Sequence, residues 1–249
     1  MNNLKLRATA LGLAAISTFS LAGCNERAAS EDYDTISQSI GTGEFNTLTQ
    51  TLEVPNNNFQ LITVYSVNDA AKREWRITSD KSLYLKVYTK GLDPNTKVYI
   101  DNIHIDTSIK SDYAIIDGIK QDSMDDHVHS SQMIGFPISD SIFYYGTDTI
   151  EGYNQEFIQG SYYAFKGHGS GSIDNKRYTE QDYIDKGVYG NKFSIVYDLL
   201  IKKENEDDYS NVSVYPDFVV KINNTKKEKK EIEEAKKKDT GKIKIKTLG

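Results

Sequence analysis

The chain has 249 residues with 38% apolar side chains, 11% aromatics and four Pro, enough for a sizeable core and too aromatic for a wholly disordered chain. Its single Cys excludes a disulfide framework and a Cys-based zinc site. The net charge of −6 is uneven: residues 1–23 contribute +2 and residues 221–249 contribute +6, which leaves −14 on the stretch between them, an acidic body that repels phosphate backbones and argues against nucleic-acid binding.

The N-terminus carries Lys5 and Arg7, then an apolar run over 8–22 interrupted by Ser17, Thr18 and Ser20, then Leu21-Ala22-Gly23-Cys24. About 15 residues is short for a membrane span, which needs roughly 20, and the basic flank is that of an export signal. This pattern resembles a bacterial lipoprotein signal peptide with its lipobox. The resemblance implies cleavage before Cys24, a diacylglycerol on the Cys24 thiol, and a mature protein held at the extracytoplasmic face of the cell membrane. Residues 1–23 are therefore expected to be a signal peptide rather than part of the fold. Residues 24–46, polar and carrying Gly41-Thr42-Gly43, read as the lipidated Cys and a flexible tether. The composition, rich in Lys, Asn, Ile and Tyr and poor in Arg, fits a Gram-positive source of low GC content.

From residue 47 to 221 the dominant period is two. Leu48, Leu52 and Val54 alternate with Thr49, Thr51 and Glu53, and the pattern continues through 61–67, Trp75-Arg76-Ile77, 83–88 and Val98-Tyr99-Ile100. Ser79-Asp80-Lys81 and Gly91-Leu92-Asp93-Pro94-Asn95 separate these runs as turns. Strands are also expected at Tyr162-Tyr163-Ala164-Phe165, 193–201 and 212–220, the last two joined by a solvated hairpin turn over 204–208. Residues 117–145 read as a crossover or lid. With no helical stripe, no βαβ alternation and no repeat, the expected fold is all-β: an antiparallel β-sandwich over 47–221 with an immunoglobulin-like layout.

A Lys-rich tail, 222–249, follows. Glu233 with Lys237 and Glu234 with Lys238 are i,i+4 pairs worth about 0.2–0.5 kcal/mol each, so the tail reads as a frayed, solvated helix. Its surplus Lys offers contact with an anionic polymer or lipid head groups as the alternative.

No catalytic residue is assigned, and no cofactor is expected. Asp125-Asp126-His127-Val128-His129 is the densest set of candidate metal ligands, because His127 and His129 on a strand would project to one side with Asp125. Its serine-rich flanks favour an exposed polar loop. His104 alternates with Ile103 and Ile105 and is expected on the polar side of a strand. Gly167-His168-Gly169-Ser170-Gly171-Ser172 matches neither a nucleophile elbow nor a dinucleotide fingerprint and reads as a flexible loop. The 17 Tyr leave two readings open, a recognition surface for protein or glycan and ordinary strand residues.

Residues 98–106 and 122–137 look like segments of lipoproteins encoded in conjugative transfer regions of Gram-positive plasmids. That resemblance implies a surface part in mating-channel assembly or cell contact, with a surface protein as partner. The sequence therefore predicts a non-enzymatic, membrane-anchored binding or scaffold module. A surface-anchored hydrolase acting on cell-wall or glycan substrate and an extracellular metal-binding lipoprotein stand as the alternatives.

Overall fold

The alternation of apolar and polar residues closes into two sheets. The computed structural model describes residues 32–39, 43–67, 75–128, 134–166 and 177–222. Residues 1–23, read above as a signal peptide, together with Cys24, His129, His168 and the tail beyond Ile222, lie outside the described residues. Among the described residues, eleven strands and two helices run in the order β1 (Thr35–Ile36), β2 (Leu48–Glu53), β3 (Gln60–Val67), β4 (Lys81–Lys90), β5 (Lys97–Ser111), β6 (Lys120–His127), β7 (Phe136–Ile138), β8 (Tyr144–Ile150), α1 (Gln155–Lys166), α2 (Glu180–Asp185), β9 (Val188–Lys202), β10 (Ser210–Val214) and β11 (Asp217–Lys221).

One sheet has four strands in the order β2-β3-β4-β8. The other has seven: β1-β11-β9-β5-β6, with β10 paired to β9 and β7 paired to β5. Every pairing is antiparallel except β1 with β11. The all-β expectation thus holds at the level of mostly antiparallel sheets.

The pleat sorts side chains by parity. In β4, Leu83, Leu85 and Val87 are buried, while Tyr84, Lys86 and Tyr88 point the other way. In β5 the buried set changes from even numbers (Val98, Ile100) to odd ones (Ile103, Ile105, Ile109). The cause is a register shift between Ile100 and Asn102 against β9, an extra residue that turns the following side chains over. Tyr65, Phe193, Tyr197 and Phe218 form an aromatic layer in the core. Tyr65 and Phe218 are 4.4 Å apart between ring centroids, Phe193 stacks on Phe218 at 5.2 Å, and the hydroxyls of Tyr65 and Tyr197 meet at 3.2 Å. Each such fully buried apolar side chain contributes about 1.5–3 kcal/mol.

Both long edges of the sheet pair are tied by side chains. Gln50 of β2 donates to Asp34 Oδ2 at 2.8 Å and to the Asp217 carbonyl at 3.1 Å. On the opposite edge the Tyr144 hydroxyl donates to Asp126 at 2.6 Å, and the Glu151 N–H donates to Asp122 at 2.8 Å.

Several expectations are corrected. Tyr162-Tyr163-Ala164-Phe165 is helix, not strand. Its residues belong to α1, which buries Phe157, Ile158, Ser161 and Tyr162 along one stripe and starts where Asn154 Oδ1 accepts the Phe157 N–H at 2.8 Å. Aromatic strand propensity yields there to packing, since Phe157 stacks on Tyr183 at 5.3 Å and Phe165 on Tyr178 at 4.0 Å. The second helix, α2, opens with a capping box of Thr179 and Asp182 that the sequence reading passed over. Trp75-Arg76-Ile77 is not a strand, because Glu180 takes the Ile77 and Thr78 N–H groups, each at 2.9 Å. Residues 117–145 hold β6, β7 and the start of β8: of the two readings the crossover holds, since β6 and β7 lie in the seven-stranded sheet and β8 in the four-stranded one, and the lid does not. The run 212–220 divides at Tyr215-Pro216 into β10 and β11, since proline has no N–H to give a ladder. Within the stretch assigned to the tether, Thr35 and Ile36 form β1 against Val219 and Val220, and Ile36 is fully buried.

Candidate functional site

Three groups of side chains carry chemistry. The first is the outward side of the four-stranded sheet. Antiparallel pairing sets Lys86 beside Tyr145 and Val64, and Tyr84 beside Thr147 and Ser66. The Lys86 Nζ lies 3.9 Å from the ring centroid of Phe143, 5.2 Å from that of Tyr88 and 5.8 Å from that of Tyr145. An ammonium over such rings contributes about 0.5–1 kcal/mol at an exposed position and holds the rings in place. Tyr88 meets Phe143 edge-on at 5.2 Å. Tyr84 is 44% exposed and Tyr145 68%; exposed Thr147 and Thr149 of β8 stand beside them, and exposed Thr49 and Thr51 lie on β2, beyond β3. The carboxylate on this outward side is Glu53 at the end of β2, which accepts from Gln60 at 2.7 Å, while Asp148, the acid within β8, points inward among Leu83 and Ile150.

The second group lies on the outward side of the seven-stranded sheet. His104 and Asp106 are two apart on β5 and share a side, and register places Asp125 of β6 directly across from His104. The imidazole spans both carboxylates, with Nδ1 at 2.6 Å from Asp125 and Nε2 at 3.0 Å from Asp106. The hydrogen bond to Asp125 first, and that to Asp106 second, raise the His104 pKa above its usual value. Lys120 adds a contact to Asp106 at 3.4 Å. The arrangement clips the edge strand β6 to β5.

The third group is internal and polar. Trp75 Nε1 donates to Asn191 Oδ1 at 2.9 Å, Asn191 Nδ2 donates to Gln121 Oε1 at 2.6 Å, and Gln121 Nε2 donates to the carbonyls of Ile77 at 2.7 Å and Glu151 at 3.1 Å. Beside this chain Lys81 is buried and donates to the Ile77 and Ser79 carbonyls, each at 3.2 Å. Burial pushes its ammonium down to about 7, against the opposing pull of Glu180, Asp80 and Asp122. Burial and the neighbouring Asp122 push Asp148 up to about 6. These groups tie the loop after Trp75 to β6, β9 and the segment ahead of α1.

Of the candidate ligands read in the sequence, Asp125 and His127 are strand residues of β6, on its exposed side, instead of the expected loop. Asp125 gives its carboxylate to His104, and His127 sits across from Asn102. Among the described residues no group of three or more His, Cys, Asp or Glu is arranged to hold a metal ion. His104 lies on the polar side of its strand, as its alternation implied. The pair His104/Asp106 was visible as an i,i+2 repeat, but Asp125 joins it only through strand register. The Tyr residues divide by burial: Tyr65, Tyr183 and Tyr197 are core, while Tyr84, Tyr145 and Tyr215 are exposed.

No family model matches the chain, and no curated protein matches it. Among solved structures it is similar to a protein from Archaeoglobus fulgidus at 8% identity, covering 64% of this chain and 94% of that one, with a TM-score of 0.27.

Proposed function

We propose that the chain is a bacterial surface lipoprotein, anchored through acyl chains on Cys24, whose immunoglobulin-like pair of stacked sheets recognises a cell-surface partner by contact rather than by chemistry. The observation that carries the anchoring is the lone Cys of the chain standing after Leu21-Ala22-Gly23 at the end of the apolar run. Two or three acyl chains, at about 0.8 kcal/mol per buried CH₂, suffice for a stable anchor. Among the described residues no helix is long and apolar enough to cross a membrane.

Recognition is supported by the Lys86, Tyr88, Phe143 and Tyr145 cluster, whose rings are held by one another and by the Lys86 ammonium, with exposed Tyr84 on the same side of the sheet. Pre-set aromatic side chains give contact area at low entropy cost. A place in a conjugation apparatus follows from the resemblance of residues 98–106 and 122–137 to transfer-region lipoproteins.

Location and mode of action are tested together. Trypsin added to intact, wall-stripped cells is expected to digest the protein completely, and the purified full chain is expected to release no soluble fragments from cell-wall sacculi. Protection from external trypsin would contradict the surface assignment. Release of sugar or peptide fragments would replace the binding reading with that of a hydrolase.

A further inference from the structure

Resting on that reading of the chain as a surface binding module, we infer that the outward side of the four-stranded sheet is a carbohydrate-binding platform, and that its ligand is wall polysaccharide rather than a protein. The functional groups on this side select the ligand. Beside the exposed Tyr84 and Tyr145 stand Thr147 and Thr149 of β8 and half-buried Ser66 and Ser82, while Thr49, Thr51 and Glu53 on β2 and Lys90 at the end of β4 complete its exposed residues. Protein docking sites centre on Trp, Tyr and Arg in desolvated pockets, and Ser and Thr are under-represented in them. A pyranose ring has the opposite needs. Its axial C–H groups pack on a flat aromatic ring, and its equatorial hydroxyls take hydrogen bonds from groups that both donate and accept, which is what serine, threonine and tyrosine hydroxyls do.

Charge agrees. The body of the protein is strongly acidic and repels anionic wall polymers. On the outward side of the four strands stand Lys86 and Lys90 against one carboxylate, Glu53 at the far end of β2, which accepts from Gln60 at 2.7 Å, so beside Tyr84 and Tyr145 the nearest charge is the Lys86 ammonium and a neutral or anionic glycan chain meets no excess of negative charge there. The platform is also pre-set. Lys86 and Phe143 hold Tyr145, and diagonal placement across the β4–β8 pair sets Tyr84 and Tyr145 about 7–8 Å apart at the backbone, so both rings address one extended chain.

The test is co-sedimentation of the full-length protein, kept in detergent micelles, with protein-free wall sacculi as the probe. Wild-type protein is expected to sediment, and Tyr84→Ala and Tyr145→Ala are each expected to weaken binding by about tenfold. Tyr215→Ala removes an equally exposed ring from the β10–β11 turn and is expected to bind as wild type. Unaltered thermal unfolding of each variant, which exposed positions lead one to expect, keeps the comparison interpretable. Failure of wild type to sediment, or wild-type binding by both Tyr84→Ala and Tyr145→Ala, overturns the platform. Binding to intact cells before and after trypsin separates a carbohydrate ligand from recognition by contact in general. Cell binding that trypsin abolishes, with none to sacculi, assigns a protein ligand, overturning the platform while recognition by contact stands. No binding to cells or sacculi removes both.

Discussion

Asn191→Leu is expected to lower the stability of the folded domain by about 2–6 kcal/mol, because it leaves two buried polar groups without partners at about 1–3 kcal/mol each. Asn191 is fully buried on β9 and sits between Trp75 and Gln121, accepting from one at 2.9 Å and donating to the other at 2.6 Å. Leucine matches the branching of asparagine at Cγ but its two methyl groups need more room, so crowding adds to the loss when the indole N–H and the Gln121 Oε1 lose what they bond. Gln121 in turn holds the Ile77 and Glu151 carbonyls, so the loss passes to the loop after Trp75 and to the chain entering α1. A domain of this size has roughly 5–15 kcal/mol to lose. Urea unfolding followed by Trp75 fluorescence, the only indole in the chain, reads the change directly. A shift below about 1 kcal/mol would mean that the chain of amides is not carrying the contact between the sheets and the loop.

Lys81 gives the second large effect, through pH. Burial lowers the folded pKa of this ammonium from 10.5 to about 7, so between these values the unfolded chain binds a proton that the folded chain does not. Stability from this group is therefore complete above the unfolded value and is lost as pH falls through the window, with a slope on the order of 1.4 kcal/mol per pH unit. Asp148 acts in the opposite sense. Its carboxyl is raised from 3.8 to about 6, so stability falls as pH rises across that interval. Together the two groups place a minimum of stability between about pH 6 and pH 7. Tyr65, pushed up to about 12 by burial, costs stability only where an unfolded tyrosine ionises, above pH 10. Urea midpoints measured from pH 7 to 9.5 are expected to climb in the wild type and to stay level in Lys81→Met. Equal slopes in both proteins would show that Lys81 remains charged inside the fold.

The periodicity of two made most of the sheet legible, since a strand with one buried side cannot slip by a residue without turning its apolar set outward. In β4 the sequence alone identifies Leu83, Leu85 and Val87 as the inner set. What escaped was decided by tertiary contacts. Tyr162 and Tyr163 favour a strand locally, yet Tyr162 belongs to the buried stripe of α1. Trp75 and Ile77 alternate like strand residues, yet a carboxylate 103 positions away from Ile77 takes its N–H. The same holds for the sites. Asp125 was singled out for its histidine neighbours in the chain, while the histidine it bonds is His104, reached across the β5–β6 register. Likewise Lys86 and Tyr145 are 59 residues apart and become neighbours only when β4 pairs with β8.

The account depends most on where the chain is held, and Cys24 decides that. Metabolic labelling with a palmitate analogue, followed by capture of wild-type and Cys24→Ala proteins, measures it most directly. The wild type is expected to carry the label in the membrane fraction with Cys24 as its mature N-terminus. The variant is expected to carry none and to accumulate as unprocessed precursor or be shed to the medium. Label on Cys24→Ala at the wild-type level, or a wild-type protein found unlabelled with residues 1–23 intact, would contradict the anchored surface module.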